Sequence, residues 1–210
     1  MKIIVEMDLF QYSTILEKNN LKNMYLFFDT ETTGLPMNYG APASDLENWP
    51  RLVQLAYIAT DEQGNILRKR DYIIKPEGFI IPEESSNIHR ITTEIANEKG
   101  MILEDVLYLF LLAVRKSKCL VAHNISFDEK IMDAEFIRNG YKEPILKEME
   151  QICTMKSTTN FCALPNNKWP RLQELHMKLF GEEFEEAHNA LADIEATMKC
   201  FFELKKLKVI

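Results

Sequence analysis

The chain has 210 residues, with 25 Lys and Arg against 32 Asp and Glu, which gives a net charge of −7. This length suits a single domain with a full hydrophobic core. The acidic balance excludes a protein that holds nucleic acid by bulk positive charge alone. The four cysteines form no C-x-x-C pair, which excludes a zinc ribbon and favours free thiols in the reducing cytoplasm.

The predicted elements begin after an N-terminal leader at residues 1–22, and residues 23–210 are predicted to form the domain. An apolar run at 24–28 predicts a strand buried on both faces, and residues 37–49 are rich in loop-forming residues. Residues 51–60 and 66–74 predict two strands joined by a hairpin at 61–64. Strand, turn and strand so close together indicate an antiparallel part of a sheet.

The second half of the chain predicts helices around further strands. Residues 103–116 predict a helix whose longest apolar run is too short to cross a bilayer, so no membrane segment is expected. Residues 119–122 predict a short buried strand, and Ser126 with Glu129 predicts a capping box that starts the next helix. A strand near Ile152 and helices at 171–180 and 189–206 follow. These elements predict an α/β fold with a mixed central sheet flanked by helices.

Two carboxylates stand at the end of the first predicted strand. Asp29 follows an apolar run, and Glu31 comes two residues later. In extended chain these residues point to the same face, roughly 7 Å apart, so both can reach one cation. Two solvated acids at a strand end are the alternative interpretation.

Further acids and a histidine are predicted near helix starts. Asp128 lies in the first turn of its helix, where a capping acid is the alternative interpretation. Asp193 is the one charge on a helical stripe of small and apolar residues: Ala190, Thr197, Cys200 and Leu204. A buried acid requires a partner, and either a metal ion or a basic side chain provides one. His188 is expected before this helix, on a loop that can turn toward the same cation.

Four acids and one histidine are the groups that a two-metal phosphoryl-transfer site requires. Oxygen ligands favour two ions of Mg²⁺ or Mn²⁺ over zinc. A neutral histidine can accept a proton from the attacking water near pH 7.

Three ordered motifs resemble those of the DnaQ-like 3′–5′ exonucleases. They are FDTETTGLP at 28–36, VAHNISFD at 121–128 and AHNALAD at 187–193. Histidine five residues before the last aspartate is typical of the histidine (DEDDh) branch, to which bacterial proofreading exonucleases belong. The resemblance covers about residues 24–205 and implies a ribonuclease H-like fold.

The resemblance also implies roles for individual residues. Asp29, Glu31 and Asp193 would bind the tighter metal ion, Asp29 and Asp128 the second, and His188 would be the general base. The contacts expected with the strand end are the backbone of Glu31 and Thr32, an apolar wedge at Leu35, and support from His123 and Asn124.

The expected substrate is the 3′ end of DNA, single-stranded DNA first of all. An RNA 3′–5′ exonuclease of the ribonuclease T or oligoribonuclease type is the alternative, because a few contacts near the 2′ position decide the sugar. An inactive nucleic-acid-binding module of the same fold is the second alternative. The basic residues are scattered along the sequence, so we expect a weak electrostatic hold and either distributive action or a polymerase or other protein partner.

Overall fold

The computed structural model describes residues 23–184 and 189–210. Its strands are β1 (Met24–Thr32), β2 (Leu52–Thr60), β3 (Ile66–Ile73), β4 (Ser117–Ala122) and β5 (Glu150–Cys153). They form one mixed sheet in the order β3-β2-β1-β4-β5. Strand β2 pairs antiparallel with β3 on one side and with β1 on the other, whereas β1, β4 and β5 are parallel. The carboxyl ends of β1, β4 and β5 therefore meet at one edge of the sheet.

The helices cover both faces of this sheet. They are α1 (Glu83–His89), α2 (Thr93–Lys99), α3 (Leu103–Lys116), α4 (Ile125–Arg138), α5 (Thr154–Ser157), α6 (Thr159–Cys162), α7 (Leu172–Phe180) and α8 (Ala190–Lys206). None of the helices within the described ranges is both long and apolar enough to cross a membrane.

The side chains of β1 alternate between two cores. Leu26 and Phe28 pack with α3 and α4, where Phe28 lies 5.5 Å from the ring of Phe110. Tyr25 and Phe27 point to the opposite face and pack with α8. This alternation follows from the two-residue period of a strand. It also decides which helix each of the next residues along β1 will face.

Most of the predicted elements are confirmed. The central strand, the hairpin strands, the helix at 103–116 and the closing helix appear within a few residues of their predicted bounds. Strand β1 extends four residues beyond the apolar run because it stays paired with β2 as far as Thr32. The leader at 1–22 lies outside the described residues, so the domain boundary after residue 22 stays a prediction.

The predicted capping box at Ser126 is wrong. Helix α4 begins at Ile125, so Ser126 already lies inside its first turn. Asn124 precedes the helix in the left-handed region, with φ of 73°. Asparagine tolerates this conformation better than most residues, which lets the chain turn sharply from β4 into α4. The Ser126 hydroxyl instead donates to Asn124 Oδ1 at 3.3 Å.

Candidate active site

Asp29 and Glu31 continue the alternation of β1 on the face covered by α8. Both follow the parity of Tyr25 and Phe27, so their carboxylates point toward the start of that helix. Asp193 meets them there. Ligand oxygens of Asp29, Glu31 and Asp193 all lie within 4.8 Å of one another. The structure thus brings together three of the four acids that the sequence predicts as metal ligands.

The start of α8 places Asp193. Asn189 caps the helix, since its Oδ1 accepts hydrogen bonds from the backbone N–H groups of Leu191 and Ala192 at 3.0 and 3.3 Å. Asp193 therefore stands in the first helical turn, and its own N–H donates to the carbonyl of Asn189 at 2.9 Å. The partial positive charge of a helix N-terminus stabilises a carboxylate at this position.

Crowding of these acids changes their proton affinity. Burial, followed by the charges of Asp128, Asp193 and Glu31, raises the pKa of Asp29 well above its usual range. Burial and the charges of Asp193 and Asp128 raise the pKa of Glu31 to about 8. Burial and the neighbouring charges thus make Asp29 and Glu31 costly to ionise. A bound cation would reverse this cost, because opposite charge favours the ionised form.

The donor set fits a divalent cation. Three carboxylates are hard oxygen ligands, which Mg²⁺ and Mn²⁺ prefer. Oxygens that share one Mg²⁺ at about 2.1 Å lie about 3.0 Å apart when adjacent and about 4.2 Å apart when opposite, so the oxygens of these three groups, now within 4.8 Å of one another, need to approach by at most about 1.8 Å. Their half-buried position leaves room for a ligand to enter from the open side.

Asp128, the fourth predicted acid, contacts β1 at Thr30. Strand β1 pairs with β4 only as far as Phe27, so this pairing ends before Thr30. Asp128, in the first turn of α4, takes this place: its Oδ1 accepts from Thr30 N at 3.1 Å and from Thr30 Oγ1 at 2.7 Å. Burial raises the pKa of Asp128 to about 7, although the bonds from Thr30 lower it. Both bonds use Oδ1, and Oδ2 takes part in neither.

A buried ionic network, which the sequence did not predict, holds the end of β1. The register of β1 on β2 shifts between Glu31 and Thr32, which leaves Val53 as the extra residue of a bulge. The fully buried carboxylate of Glu135 accepts the N–H of Leu52 at 3.0 Å beside this bulge. The same oxygen lies 2.9 Å from Arg51 Nε and 3.2 Å from an Arg138 nitrogen.

This network reaches the turn that follows Asp29 and Glu31. Arg51 accepts the N–H of Thr33 at its carbonyl, at 2.9 Å, and donates its own N–H to Thr33 Oγ1 at 3.0 Å. Glu135 therefore fixes Arg51, and Arg51 fixes the backbone just after Glu31. A signal existed in the sequence: Glu135 stands seven residues after Asp128, hence on the same face of α4.

His123 and Asn124 support the end of β4. His123 Nδ1 lies 3.0 Å from Thr154 Oγ1, and Nε2 lies 3.0 Å from the carbonyl of Pro170. Burial lowers the pKa of this ring to about 4, so it is neutral at pH 7. Both nitrogens thus bind within the protein and join β4 to the segments after β5 and before α7. Direct contact of His123 or Asn124 with a substrate stays a prediction.

Thr32 and Leu35 follow the two acids of β1 in the chain. Thr32 is buried, and its hydroxyl donates to the carbonyl of Gly34 at 2.6 Å, which tightens the turn. Leu35 is 74% exposed at the end of this turn, as a wedge against a base requires. His188 lies outside the described residues. Its predicted place and role stay a prediction.

Comparison with known proteins places these residues in context. A family model described as Exonuclease matches residues 26–201. The DNA polymerase III subunit epsilon of Treponema pallidum is 29% identical over 174 residues, which cover 83% of this chain and 73% of that protein. A PolC-type DNA polymerase III of Pediococcus pentosaceus is 29% identical over 185 residues. The match covers 86% of this chain, yet the chain spans only 11% of that polymerase.

A solved structure shares the fold. The zinc-bound complex of Escherichia coli exonuclease I with single-stranded DNA superposes with a TM-score of 0.71 at 24% identity. The superposition covers 89% of this chain and 41% of exonuclease I. At this identity the likeness shows the ribonuclease H-like architecture, which confirms the fold class predicted from the sequence.

Proposed function

Because the chain belongs to the DnaQ-like 3′–5′ exonuclease family, we propose that it is a metal-dependent exonuclease that releases nucleotides from the 3′ ends of DNA. The observation that carries this proposal is the meeting of Asp29, Glu31 and Asp193 within 4.8 Å. These acids come from the first and last of the three motifs, which are far apart in the sequence. The fold brings them to one point, and their mutual repulsion favours a cation there.

The four acids would bind two cations. Asp29, Glu31 and Asp193 would hold one Mg²⁺ or Mn²⁺ ion, and Asp29 with Asp128 would hold the second. Asp128 keeps Oδ2 outside its bonds with Thr30, which supports a contact on that side, directly or through water. Bound divalent cations would activate the attacking water and offset the negative charge that develops on the phosphate and the leaving oxygen.

His188 would accept the proton of the attacking water. It directly precedes Asn189, the residue that caps α8, and it stands five residues before Asp193 in the sequence. A neutral imidazole is a suitable base near pH 7. The exposed Leu35 would press against the terminal base, and the backbone of Glu31 and Thr32 would contact the last nucleotide.

DNA is the proposed substrate because the sequence relatives are DNA polymerase III components, and exonuclease I, which shares the fold, is seen with single-stranded DNA. Those names describe the relatives. For this chain we further propose a polymerase or another protein partner, since scattered basic residues give little electrostatic hold on a strand.

The test is a digestion of matched 5′-labelled substrates by the full chain with Mg²⁺: single-stranded DNA, duplex DNA and RNA of one sequence. We expect single-stranded DNA to shorten stepwise from its 3′ end and fastest of the three. Faster digestion of RNA would replace DNA with RNA as the substrate. Binding of the DNA without any shortening would show an inactive module of the same fold.

A further inference from the structure

An apolar strip is exposed directly after the turn that follows the metal-binding acids. Leu35, Met37 and Tyr39 are 74%, 81% and 57% exposed. Single exposed apolar residues are common on protein surfaces, but three within five residues form a continuous strip, and such patches mark binding sites. Leu35 is already proposed as the wedge for the terminal base, which leaves Met37 and Tyr39 unexplained.

The loop that carries Met37 and Tyr39 is held in place by buried polar groups. The side chain of Asn48, which is 5% exposed, accepts the N–H of Asn38 at 2.7 Å and donates to its carbonyl at 3.0 Å. Trp49 Nε1 donates to the carbonyl of Pro42 at 2.9 Å. Arg138 donates to two further carbonyls of the same loop. A loop fixed in this way presents its exposed side chains at little further entropic cost.

The strip lies beside the proposed active site. The ring of Tyr39 is 6.4 Å from that of Phe127, the residue directly before Asp128. Lys130 stands one helical turn after Phe127, and its Nζ lies 5.8 Å from the ring of Trp49, at the far end of the same loop. Tyr39 and Lys130 therefore both lie near the first turn of α4, which carries Asp128. This combination is the one that single-stranded nucleic acid binds.

We propose that Met37 and Tyr39 form a stacking surface for the unpaired bases that precede the terminal nucleotide, with Lys130 facing the phosphates of that strand. The inference rests on the proposed function and extends it to a substrate class. Bases can stack on Tyr39 only where they are unpaired, so this surface favours single strands over duplexes. Stacking also binds the strand without electrostatic attraction, which a net charge of −7 does not provide.

The test compares a long and a minimal substrate for the full chain and three variants. The long substrate is a 12-nucleotide oligothymidylate. The minimal one is thymidine 5′-(p-nitrophenyl phosphate), which has no preceding base. We expect Tyr39→Ala to raise KM for the oligonucleotide about tenfold relative to KM for the ester, because one stacked base is lost. Tyr39→Phe, which keeps an aromatic ring, should have the same ratio of the two KM values as the unmodified protein. Tyr108→Ala, which removes an exposed ring on α3, is the matched control.

Three results would overturn the stacking surface. They are an unchanged KM ratio in Tyr39→Ala, an equal loss on both substrates, and dissociation of a protein dimer by the same variant. Affinity for the labelled oligonucleotide in Ca²⁺, measured by fluorescence anisotropy, keeps the test independent of turnover. If the unmodified protein cleaves neither substrate, the proposed function fails. Weaker binding by Tyr39→Ala would still support the surface.

Discussion

Replacement of Glu31 by glutamine should stabilise the metal-free protein. The pKa of this carboxyl rises from 4.5 to about 8 in the folded state, so the folded chain binds its proton more tightly than the unfolded chain does. Stability from this group is therefore fully present below about pH 4.5 and is lost as the pH rises through about 8. Each tenfold change in proton affinity is worth about 1.4 kcal/mol, which sets an upper limit of roughly 4 kcal/mol for the penalty at pH 8.

Glu31→Gln removes this penalty, and it also removes one of the charges that raise the pKa of Asp29. For a chain of this length about 1 kcal/mol moves the melting temperature by roughly 2–4 °C, so an increase of about 5–15 °C is expected at pH 8 in EDTA. Added Mg²⁺ should then stabilise the unmodified protein more than the variant.

Thermal unfolding followed by circular dichroism at pH 5 and pH 8 measures these changes. Glu77→Gln, which alters an exposed acid in a loop, is the control for the loss of one negative charge. The increase in melting temperature caused by Glu31→Gln should be larger at pH 8 than at pH 5. A variant that melts at or below the temperature of the unmodified protein at pH 8 would refute the mutual repulsion of these acids.

Three other substitutions test separate parts of the site. Asp193→Ala should abolish nucleotide release while circular dichroism shows a folded protein. Unchanged release would show that Asp193 is not a metal ligand. His188→Ala should lower kcat by roughly 10²–10⁴ and leave metal affinity, measured by Mn²⁺ calorimetry, nearly unchanged. Normal turnover in that variant would mean that another group takes the proton. Glu135→Ala should cost about 3–5 kcal/mol in urea unfolding, because it leaves Arg51 and Arg138 without their shared carboxylate. A cost below about 1 kcal/mol would show that water replaces the network.

The sequence predicted those parts of the fold that depend on hydrophobic pattern. The apolar run in β1 and the helix at 103–116 are long, regular signals, and the structure confirms both. The stripe that contains Asp193 was informative for the same reason: one acid among small and apolar residues on a helix requires a partner. Strand alternation then places Asp29 and Glu31 opposite that acid.

The features that the sequence did not predict depend on tertiary contacts or on backbone conformation. The Ser126 pattern satisfied the capping rule, yet the N-cap is Asn124, in a left-handed conformation two residues earlier. The bulge at Val53 has no local signal, since β2 is buried along its whole length. Glu135 is one of several charged residues on α4, and only the tertiary fold places it beside that bulge.

The central claim is that the carboxylates of the first and last motifs bind the cation on which strand cleavage depends. The most direct measurement follows a 5′-labelled single-stranded oligonucleotide over time with Mg²⁺ and with EDTA, for the unmodified protein and for Asp29→Asn. We expect a ladder of products shortened from the 3′ end only in the unmodified protein with Mg²⁺. Shortening in EDTA, or an unimpaired ladder from Asp29→Asn, would contradict it.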